Sequence, residues 1–457
     1  MKKNFIDQLF GLMISPYGLV GLAIGILIVI YASRSRPAGW MLFSLCCFAA
    51  SLNEAPRSQW IKVIPPLLFP FQQIRSVGRP LAIVLLLLLV ILAFMSTDTW
   101  RRWILPPPLK YLIVVQGAIV LKTLLYGNLE FSLISGLTFG CLIFVLRMGP
   151  GRWLQDDRNF HLAARSLAVA VSIFITINTY QYAIDRYAVT FHQGRFLGTT
   201  DNPQQAALLL SSAIPCLIFL SQRTSSSKFI KVMWAMFLIA TLFFLFMTGS
   251  RMGVLIALTS VILFYRNNGG AWFQFSIGLA VLAVIVTTLL DPALLISSSG
   301  VDTVSGRVTS TENTRAVVWT GMWQTFQDNL LFGLPLEQGR MGFGENSWLA
   351  AAANLGLIGV IPMVMMGWES LKLMWQLDRL SQRQPHYFFY SSTAIAGIGS
   401  LLVGSLFEPF LLGNITFVLL AFLTYLIMGA YLIEVDRART YYLQTRAPQS
   451  DRAGVYQ

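Results

Sequence analysis

Long apolar runs with almost no charges recur along the whole chain, and most of them are long enough to cross a lipid bilayer. The hydrocarbon layer of a bilayer is about 30 Å thick and is spanned by ~20 residues of α-helix. In this chain 55% of the residues are hydrophobic and 12% are charged, whereas soluble domains carry about 25% charged residues. The runs are continuous and do not alternate as β-barrel strands do. The sequence therefore predicts an all-α integral membrane protein, with residues 1–457 forming a single polytopic membrane domain.

Thirteen runs are candidate membrane spans, and about 12–14 transmembrane helices are expected. The runs cover approximately 16–33, 38–53, 80–95, 109–126, 131–147, 163–182, 204–221, 229–248, 251–266, 273–290, 347–367, 388–406 and 413–433. One large loop, 291–346, separates the tenth run from the eleventh. It contains a helix-like segment, 314–331, which Thr311 or Asn313 is expected to cap. Its Trp, Phe and Leu content argues against disorder, so we predict one large helical external loop.

The distribution of lysine and arginine predicts how the chain is oriented. Cytoplasmic segments of membrane proteins are enriched in both residues. Lysine or arginine occurs in 148–165, 222–231, 266–272, 371–387 and 434–457, and the alternate segments after residue 126 contain no lysine. We therefore predict that 434–457 is a cytoplasmic tail and that 291–346 is external. The N-terminal third departs from this rule. Counting the spans places 54–79 on the external side, although this segment carries four cationic residues.

The predicted external segments lack lysine but retain arginine, whose planar fork grips phosphate and stays charged. Arg251 lies directly between two apolar runs. It is either functional or a turn residue that snorkels to lipid phosphate. Arg195 belongs either to a binding site or to a polar loop that leads into the span beginning at Asn202. Arg307 and Arg315 are weaker candidates, because a loop helix needs polar residues in any case.

The net charge of +13 fits contact with anionic lipid or an anionic substrate. Two more external arginines, Arg186 and Arg340, are the weakest candidates. The sequence therefore predicts an anion-binding face on the external side, with Arg195 and Arg251 as its principal residues.

Glu345 precedes an apolar helix, which permits two interpretations. A carboxylate there stabilises the helix dipole, or it serves as a general base facing an external cavity. Asn346 and Ser347 are candidate helix caps or sugar-binding donors. Glu408 is isolated in the sequence, and we expect it to have a structural role.

Several classes of function lack support in the sequence. The three histidines are scattered, without the spacing of a metal site, and the four cysteines lie in apolar runs. No phosphate-binding glycine-rich loop with its lysine occurs, and no long basic run indicates nucleic acid. We therefore expect no metal, no other cofactor and no nucleic-acid partner.

Four stretches together resemble the O-antigen ligase and polymerase superfamily of bacterial membrane glycosyltransferases, over residues 190–370. They are GRFLGTTDNPQQAA (194–207), TGSRMGVLIAL (248–258), TRAVVWTGMWQTFQDNLLFGLP (314–335) and ENSWLAAAANLGLIG (345–359). The resemblance implies about a dozen helices and an external loop folded over a cavity. It also implies metal-independent transfer from an undecaprenyl-pyrophosphate-linked oligosaccharide to a glycan acceptor. The expected location is the bacterial inner membrane, with the active site facing the periplasm.

The resemblance also assigns expected roles to residues. Arg195 and Arg251 match arginines that hold the pyrophosphate, and Glu345 is the expected base. The expected substrate-binding residues are Arg307, Arg315, Asn202 and Asn346.

Ligases usually have His-Asn where this chain has Glu345-Asn346, so the expected activity is polymerisation of exopolysaccharide or O-antigen repeat units. Partners expected for a polymerase are a chain-length regulator and a flippase. Two alternatives stay open. One is an O-antigen ligase that transfers glycan to lipid A-core or another acceptor, and the other is a secondary transporter or flippase.

Overall fold

A computed structural model describes most of the chain as α-helices. It describes residues 16–52, 71–95, 105–126, 129–148, 157–184, 195–200, 202–223, 228–267, 315–334, 344–413 and 415–446. The helices in these ranges are α1 (Pro16–Arg34), α2 (Arg36–Ser51), α3 (Phe71–Phe94), α4 (Pro107–Leu125), α5 (Leu129–Met148), α6 (Asp157–Ile184), α7 (Pro203–Ser212), α8 (Ile214–Arg223), α9 (Lys228–Met247), α10 (Arg251–Phe264), α11 (Ala316–Asp328), α12 (Ser347–Leu355), α13 (Leu357–Arg383), α14 (Phe388–Ser405) and α15 (Phe417–Arg446). No β-strand occurs in these ranges.

The helices fit a multi-pass membrane protein. Within the described ranges, seven helical segments are long and apolar enough to cross a membrane, and five shorter apolar helices accompany them. The candidate span 273–290 and most of the predicted loop 291–346 lie outside the described residues. The all-α membrane architecture is therefore supported, and the total of 12–14 transmembrane helices stays a prediction.

Helices α7, α8, α14 and α15 form the centre of the bundle. They are buried along most of their length, whereas α9 is largely exposed. Tyr425 of α15 is fully buried, and its ring lies against Gly397 of α14, where a Cβ atom would collide with it. Small residues allow this close approach of helices, which drives packing in lipid where the hydrophobic effect between helices is weak.

The predicted span 204–221 is interrupted at Ala213, which separates α7 from α8. Tyr425 donates a hydrogen bond from its hydroxyl to the carbonyl oxygen of Ser212, at 2.8 Å. A buried carbonyl beside a helix break requires a partner, and Tyr425 supplies one from the centre of the bundle.

Helices α12 and α13 form a tight hairpin, so the single span predicted over 347–367 is wrong. Gly356 joins them with φ 62°, a left-handed conformation that glycine adopts without steric cost. The ring of Trp348 in α12 lies against Gly367 in α13, which requires α12 to fold back along α13. Hydropathy records the length of an apolar run and not the direction of the chain, so the reversal was missed.

One end of the bundle is held by Arg266, and we call it the Arg266 end. Its guanidinium pairs with Asp378 of α13 at 2.6 Å and donates to Ser392 of α14 at 3.0 Å. Helix α15 reaches the same end, because the side-chain amide of Gln384 donates to Asp436 at 2.7 Å. The end of α10 is thus tied to α13 and α14 there, and α15 is joined to the link between α13 and α14.

At the opposite end α2 and α14 finish, whereas α7, α10 and α15 begin. We call it the Arg251 end, after the first residue of α10. Gln205 of α7 donates to the carbonyl oxygen of Ser51, and the backbone N–H of Phe417 donates to the hydroxyl oxygen of Ser51 at 2.8 Å. The lysine-free segments 249–251 and 407–412 both lie at this end, which we predict to be external.

One prediction about a helix end needs correction. Helix α11 confirms most of the segment predicted over 314–331, but its N-cap position is Arg315. The prediction that Thr311 or Asn313 caps this helix is therefore wrong. Helix α15 continues into the predicted tail 434–457 and ends at Arg446. Glu434 and Arg437 are exposed there and form an ion pair three residues apart, which supports an exposed helix.

Candidate functional site

Arg315 lies between two carboxylates at the Arg251 end. Its Nε is 3.2 Å from Oε2 of Glu345, and its Nη2 is 3.1 Å from Oε1 of Glu408. Its Nη1 donates to the carbonyl oxygen of Phe407. The side chains of Arg315, Glu345 and Glu408 are 13%, 41% and 18% exposed. We call these three charged residues the Arg315 cluster.

The two carboxylates of the cluster differ in their surroundings. Burial raises the pKa of Glu408 from 4.5 to about 7; the Arg315 guanidinium opposes this shift and the Glu345 carboxylate adds to it. Glu408 lies between α14 and α15, outside the helices. It therefore changes charge near neutral pH while Glu345, the more exposed carboxylate, faces the end of the bundle.

The chain around Glu345 is held by its own helix cap. Asn346 Oδ1 accepts hydrogen bonds from the backbone N–H groups of Trp348, at 2.8 Å, and Leu349, at 3.0 Å, which satisfies two free donors at the start of α12. The Ser347 hydroxyl donates to the backbone carbonyl of Glu408 at 2.6 Å. The segment that carries Glu345 is therefore tied directly to the segment that carries Glu408.

Aromatic packing holds the other side of the cluster. The Arg315 guanidinium lies 5.8 Å from the ring centre of Phe407, within cation–π range. Trp319, one turn later in α11, lies 5.9 Å from the same ring. Met322 lies against Gly344, where a Cβ atom would be 2.6 Å from the Met322 sulfur. Helix α11 thus packs closely on the segment just before Glu345.

Helix α12 is a short buried helix whose N-terminus begins at the cluster. Ser347 and the run from Ala350 to Leu355 are buried. Trp348 donates from its indole Nε1 to the Ser405 hydroxyl oxygen, at 2.9 Å, and this joins α12 to the last residue of α14. The N-terminus of α12 therefore lies at the Arg315 cluster, directly after Glu345.

Arg195 lies at the same end, in a second polar arrangement. Its side chain is buried, and its Nε donates to the carbonyl oxygen of Thr248 at 2.8 Å. The neighbouring Phe196 N–H donates to the Met247 carbonyl oxygen at 2.9 Å. Arg195 therefore anchors its own segment to the turn that follows α9.

That turn leads straight into Arg251. Gly249 has φ 58°, and Ser250 caps α10 by accepting from the Gly253 N–H at 3.3 Å. Arg251, the first residue of α10, is exposed. The carbonyl group that Arg195 contacts, on Thr248, thus lies only three positions before Arg251 in the chain.

The packing of α10 on α14 relates Arg251 to the Arg315 cluster. Ile256 contacts Gly404, and Leu263 contacts Gly399, so the two helices are antiparallel. Arg251 precedes Ile256 by about one and a half turns of α10. Because the helices are antiparallel, it lies level with the residues that follow α14. Those residues contribute a carboxylate to the cluster.

The structure therefore gathers most of the predicted site residues at one end of the bundle. Asn202 and Asn346 both act as helix caps there, which confirms the capping role expected for Asn346. Arg307 lies outside the described residues, as do Arg186 and Arg340.

Glu408 is the residue that the sequence analysis left out of the expected site. It is isolated in the sequence, but in the structure it pairs with Arg315. An available signal was its position as a single acid within the apolar stretch SLFEPFLLG, since ionisable groups in such stretches are costly and by default functional.

Comparison with models of known protein families gives no match, and comparison with curated protein sequences gives none either. In the described ranges, no group of three or more His, Cys, Asp or Glu residues is arranged to hold a metal ion.

The Arg315 cluster consists of one guanidinium shared by two carboxylates, with further arginines at the same end of the bundle. Chemically, it combines proton acceptors with groups that bind a diffuse negative charge.

Proposed function

We propose that this protein is a membrane glycosyltransferase that uses an undecaprenyl-pyrophosphate-linked glycan as donor. The favoured activity is polymerisation of exopolysaccharide or O-antigen repeat units at the periplasmic face of the bacterial inner membrane. The observation that carries the proposal is the Arg315 cluster, in which two carboxylates share one guanidinium at the end where Arg195 and Arg251 also lie. The sequence resemblance supplies the substrate class.

The proposed reaction is a single displacement at the anomeric carbon of the donor sugar. An acceptor hydroxyl forms the new C–O bond, and the bond from the anomeric carbon to the pyrophosphate oxygen breaks. Undecaprenyl pyrophosphate leaves with the bonding electron pair, and the hydroxyl proton passes to a carboxylate. Fixed cationic groups lower the energy of such a transition state, because they need not reorganise as charge develops. We assign the pyrophosphate to Arg251, which is exposed at this end of the bundle.

The two carboxylates support different roles in this scheme. Glu345 is the more exposed, so it is the carboxylate that an acceptor hydroxyl reaches first. Arg315 holds it through one oxygen, at 3.2 Å, and thereby orients it. Glu408 is the less exposed of the two carboxylates and accepts a hydrogen bond from Arg315 Nη2. We assign proton acceptance to Glu345 and orientation of the guanidinium to Glu408.

A ligase that transfers glycan to lipid A-core fits the same residues. The Glu345-Asn346 pair, in place of the His-Asn usual in ligases, favours the polymerase.

A transporter or flippase is the second candidate, and one observation favours it. Helix α12 is a short buried helix that starts at a charged cluster and folds back at Gly356. Secondary transporters bind anionic substrates at the N-termini of such half-helices. One feature argues against this alternative. The charged residues of the candidate site lie at one end of the bundle, whereas a transported substrate needs access from both ends.

The test is the glycan profile of a deletion strain complemented with wild type, Glu345→Gln or Arg251→Lys. We expect both variants to insert normally and to lose polymer, leaving single repeat units. Lysine fails at position 251 because a point charge does not replace the planar fork of arginine. Glu434→Gln is the matched control, since Glu434 is an exposed glutamate paired with Arg437 at the Arg266 end, and it should keep the wild-type profile.

The profile also separates the alternatives. Intact polymer that stays on its lipid carrier indicates a ligase. A wild-type profile from both variants contradicts glycosyl transfer by these residues and favours the transporter.

A further inference from the structure

Residues 330–334, which follow α11 and its C-cap Asn329, expose an unusual amount of apolar surface. Four of them are large and apolar, and each is between 46% and 68% exposed: Leu330, Leu331, Phe332 and Leu334. We call residues 330–334 the apolar clasp. The sequence analysis assigned this segment to the large external loop 291–346. Large apolar side chains clustered on a surface normally mark a contact with lipid or protein.

The apolar clasp is fixed in place by backbone contacts. The Leu357 N–H donates to the Leu330 carbonyl oxygen at 2.8 Å, and the Leu334 N–H donates to the Ala353 carbonyl oxygen at 2.8 Å. Gly333, with φ 71°, lies so close to α12 that a Cβ atom would overlap the Asn354 backbone. The exposed side chains are therefore presented by a rigid segment.

Lys122 of α4 fixes the clasp from the other side. Its ammonium donates to the carbonyl oxygens of Phe332, at 2.6 Å, and Asn354. These oxygens belong to the clasp and to the last turn of α12. A cation at the C-terminal end of a helix satisfies unpaired carbonyls and stabilises the helix dipole. The clasp, the end of α4 and the start of α13 thus form one connected surface.

The same surface is apolar on both neighbouring helices. Leu124 and Leu125 are exposed at the end of α4, and Leu357, Ile358 and Ile361 are exposed at the start of α13. Both helices are candidate membrane spans, whose exposed apolar side chains face hydrocarbon. The apolar clasp adjoins these exposed apolar residues, with Lys122 between the clasp and α4.

The last turn of α11 has the opposite character. Gln324, Gln327 and Asp328 are exposed there, only two residues before the first exposed leucine of the clasp. A change from polar to apolar exposure over such a short distance is typical of a segment that enters a membrane interface.

We propose that the apolar clasp is embedded in the lipid of the bilayer, with Leu330, Leu331, Phe332 and Leu334 in contact with hydrocarbon chains. The occupant of this surface is bilayer lipid, because the clasp adjoins the lipid-facing sides of α4 and α13. One consequence is that α11 is anchored at its C-terminal end, which fixes the depth at which Arg315 meets its two carboxylates. The proposal does not depend on the function proposed above.

The test compares two single cysteines in a chain whose four native cysteines are replaced by alanine. Leu331→Cys reports on the clasp, and Gln327→Cys is the matched control, one turn earlier and also exposed. Membranes are opened by freeze–thaw so that a charged maleimide reaches both faces. We expect Leu331→Cys to react at least tenfold more slowly than Gln327→Cys in membranes, and the two rates to converge after detergent extraction. Equal rates in membranes overturn the proposal.

A second measurement distinguishes lipid from a protein partner. Bimane attached at position 331 should be quenched by spin-labelled lipids, and bimane at position 327 should be quenched much less. Disulfide-linked dimers of Leu331→Cys without quenching by lipid would show that a second copy covers the clasp, and would overturn the proposal. If the cysteine-free chain does not fold, the same pair is built in a chain that keeps Cys46, Cys47 and Cys216, which are buried.

Discussion

Replacing Glu408 with glutamine should make the protein more stable at pH 8 and leave its stability unchanged at pH 4 or below. Burial raises the Glu408 pKa from 4.5 to about 7. The folded protein therefore binds this proton more tightly than the unfolded chain, and stability falls as the pH rises from 4.5 to about 7. Glutamine resembles the protonated carboxyl, so it removes the cost of the buried charge without removing the side chain.

The size of the effect follows from the same shift. A carboxyl pKa that moves from 4.5 to about 7 corresponds to about 3 kcal/mol at a pH well above 7. The Glu408 side chain is 18% exposed, so solvent screens only part of this cost. For 457 residues and an unfolding entropy of ~2.1 cal/mol/K per residue, the expected rise in melting temperature is about 3 °C.

The assay is thermal unfolding of purified protein in detergent, followed by tryptophan fluorescence at pH 4 and pH 8. Glu434→Gln is the control, and it should shift the melting temperature by less than about 1 °C at either pH, because exposed ion pairs contribute little. A Glu408→Gln variant that melts at a lower temperature than wild type at pH 8 would refute the reasoning. It would mean that the ion pair with Arg315 outweighs the cost of burial.

Three further substitutions test the support of the site. Lys122→Met should lower stability by about 1–3 kcal/mol, because two carbonyl oxygens lose a charged donor; an unchanged melting temperature in detergent would refute this role. Gly356→Ala should impair folding, because φ is 62° and the new Cβ atom would lie 2.5 Å from the Leu330 carbonyl oxygen; normal yield of folded protein would contradict it. Asn346→Ala should cost about 1 kcal/mol through loss of the cap and should reduce polymer formation in complemented cells, whereas Asn346→Ser should retain most of both.

The helices were predictable because their signal is local. A continuous apolar run identifies a membrane helix without knowledge of its neighbours, and α9 and α14 follow their predicted spans closely. The reversal at Gly356 was not predictable in this way. Its glycine lies between two leucines in an apolar run that only Asn354 interrupts. The reversal is revealed by the left-handed φ of Gly356 and by the contact between Trp348 and Gly367.

Most residues of the candidate site could be identified from the sequence, but the contacts between them could not. Glu345 and Arg315 stand out in the sequence as charges beside apolar helices, but nothing local indicates that they pair. The partner that completes the cluster, Glu408, is brought to them by the end of α14 and by the Ser347 hydrogen bond to its backbone. Such contacts depend on how helices pack, which a single sequence does not record.

The most direct test of the proposed activity uses purified protein reconstituted in liposomes. The donor is the lipid-linked repeat unit extracted from a strain that lacks this chain, and the products are resolved by gel electrophoresis and mass spectrometry. Wild type should lengthen the glycan and release undecaprenyl pyrophosphate in equal amounts, and Glu345→Gln should do neither while remaining folded. Unchanged donor with correctly folded wild-type protein, or full activity in Glu345→Gln, would contradict the assignment of glycosyl transfer to the Arg315 cluster.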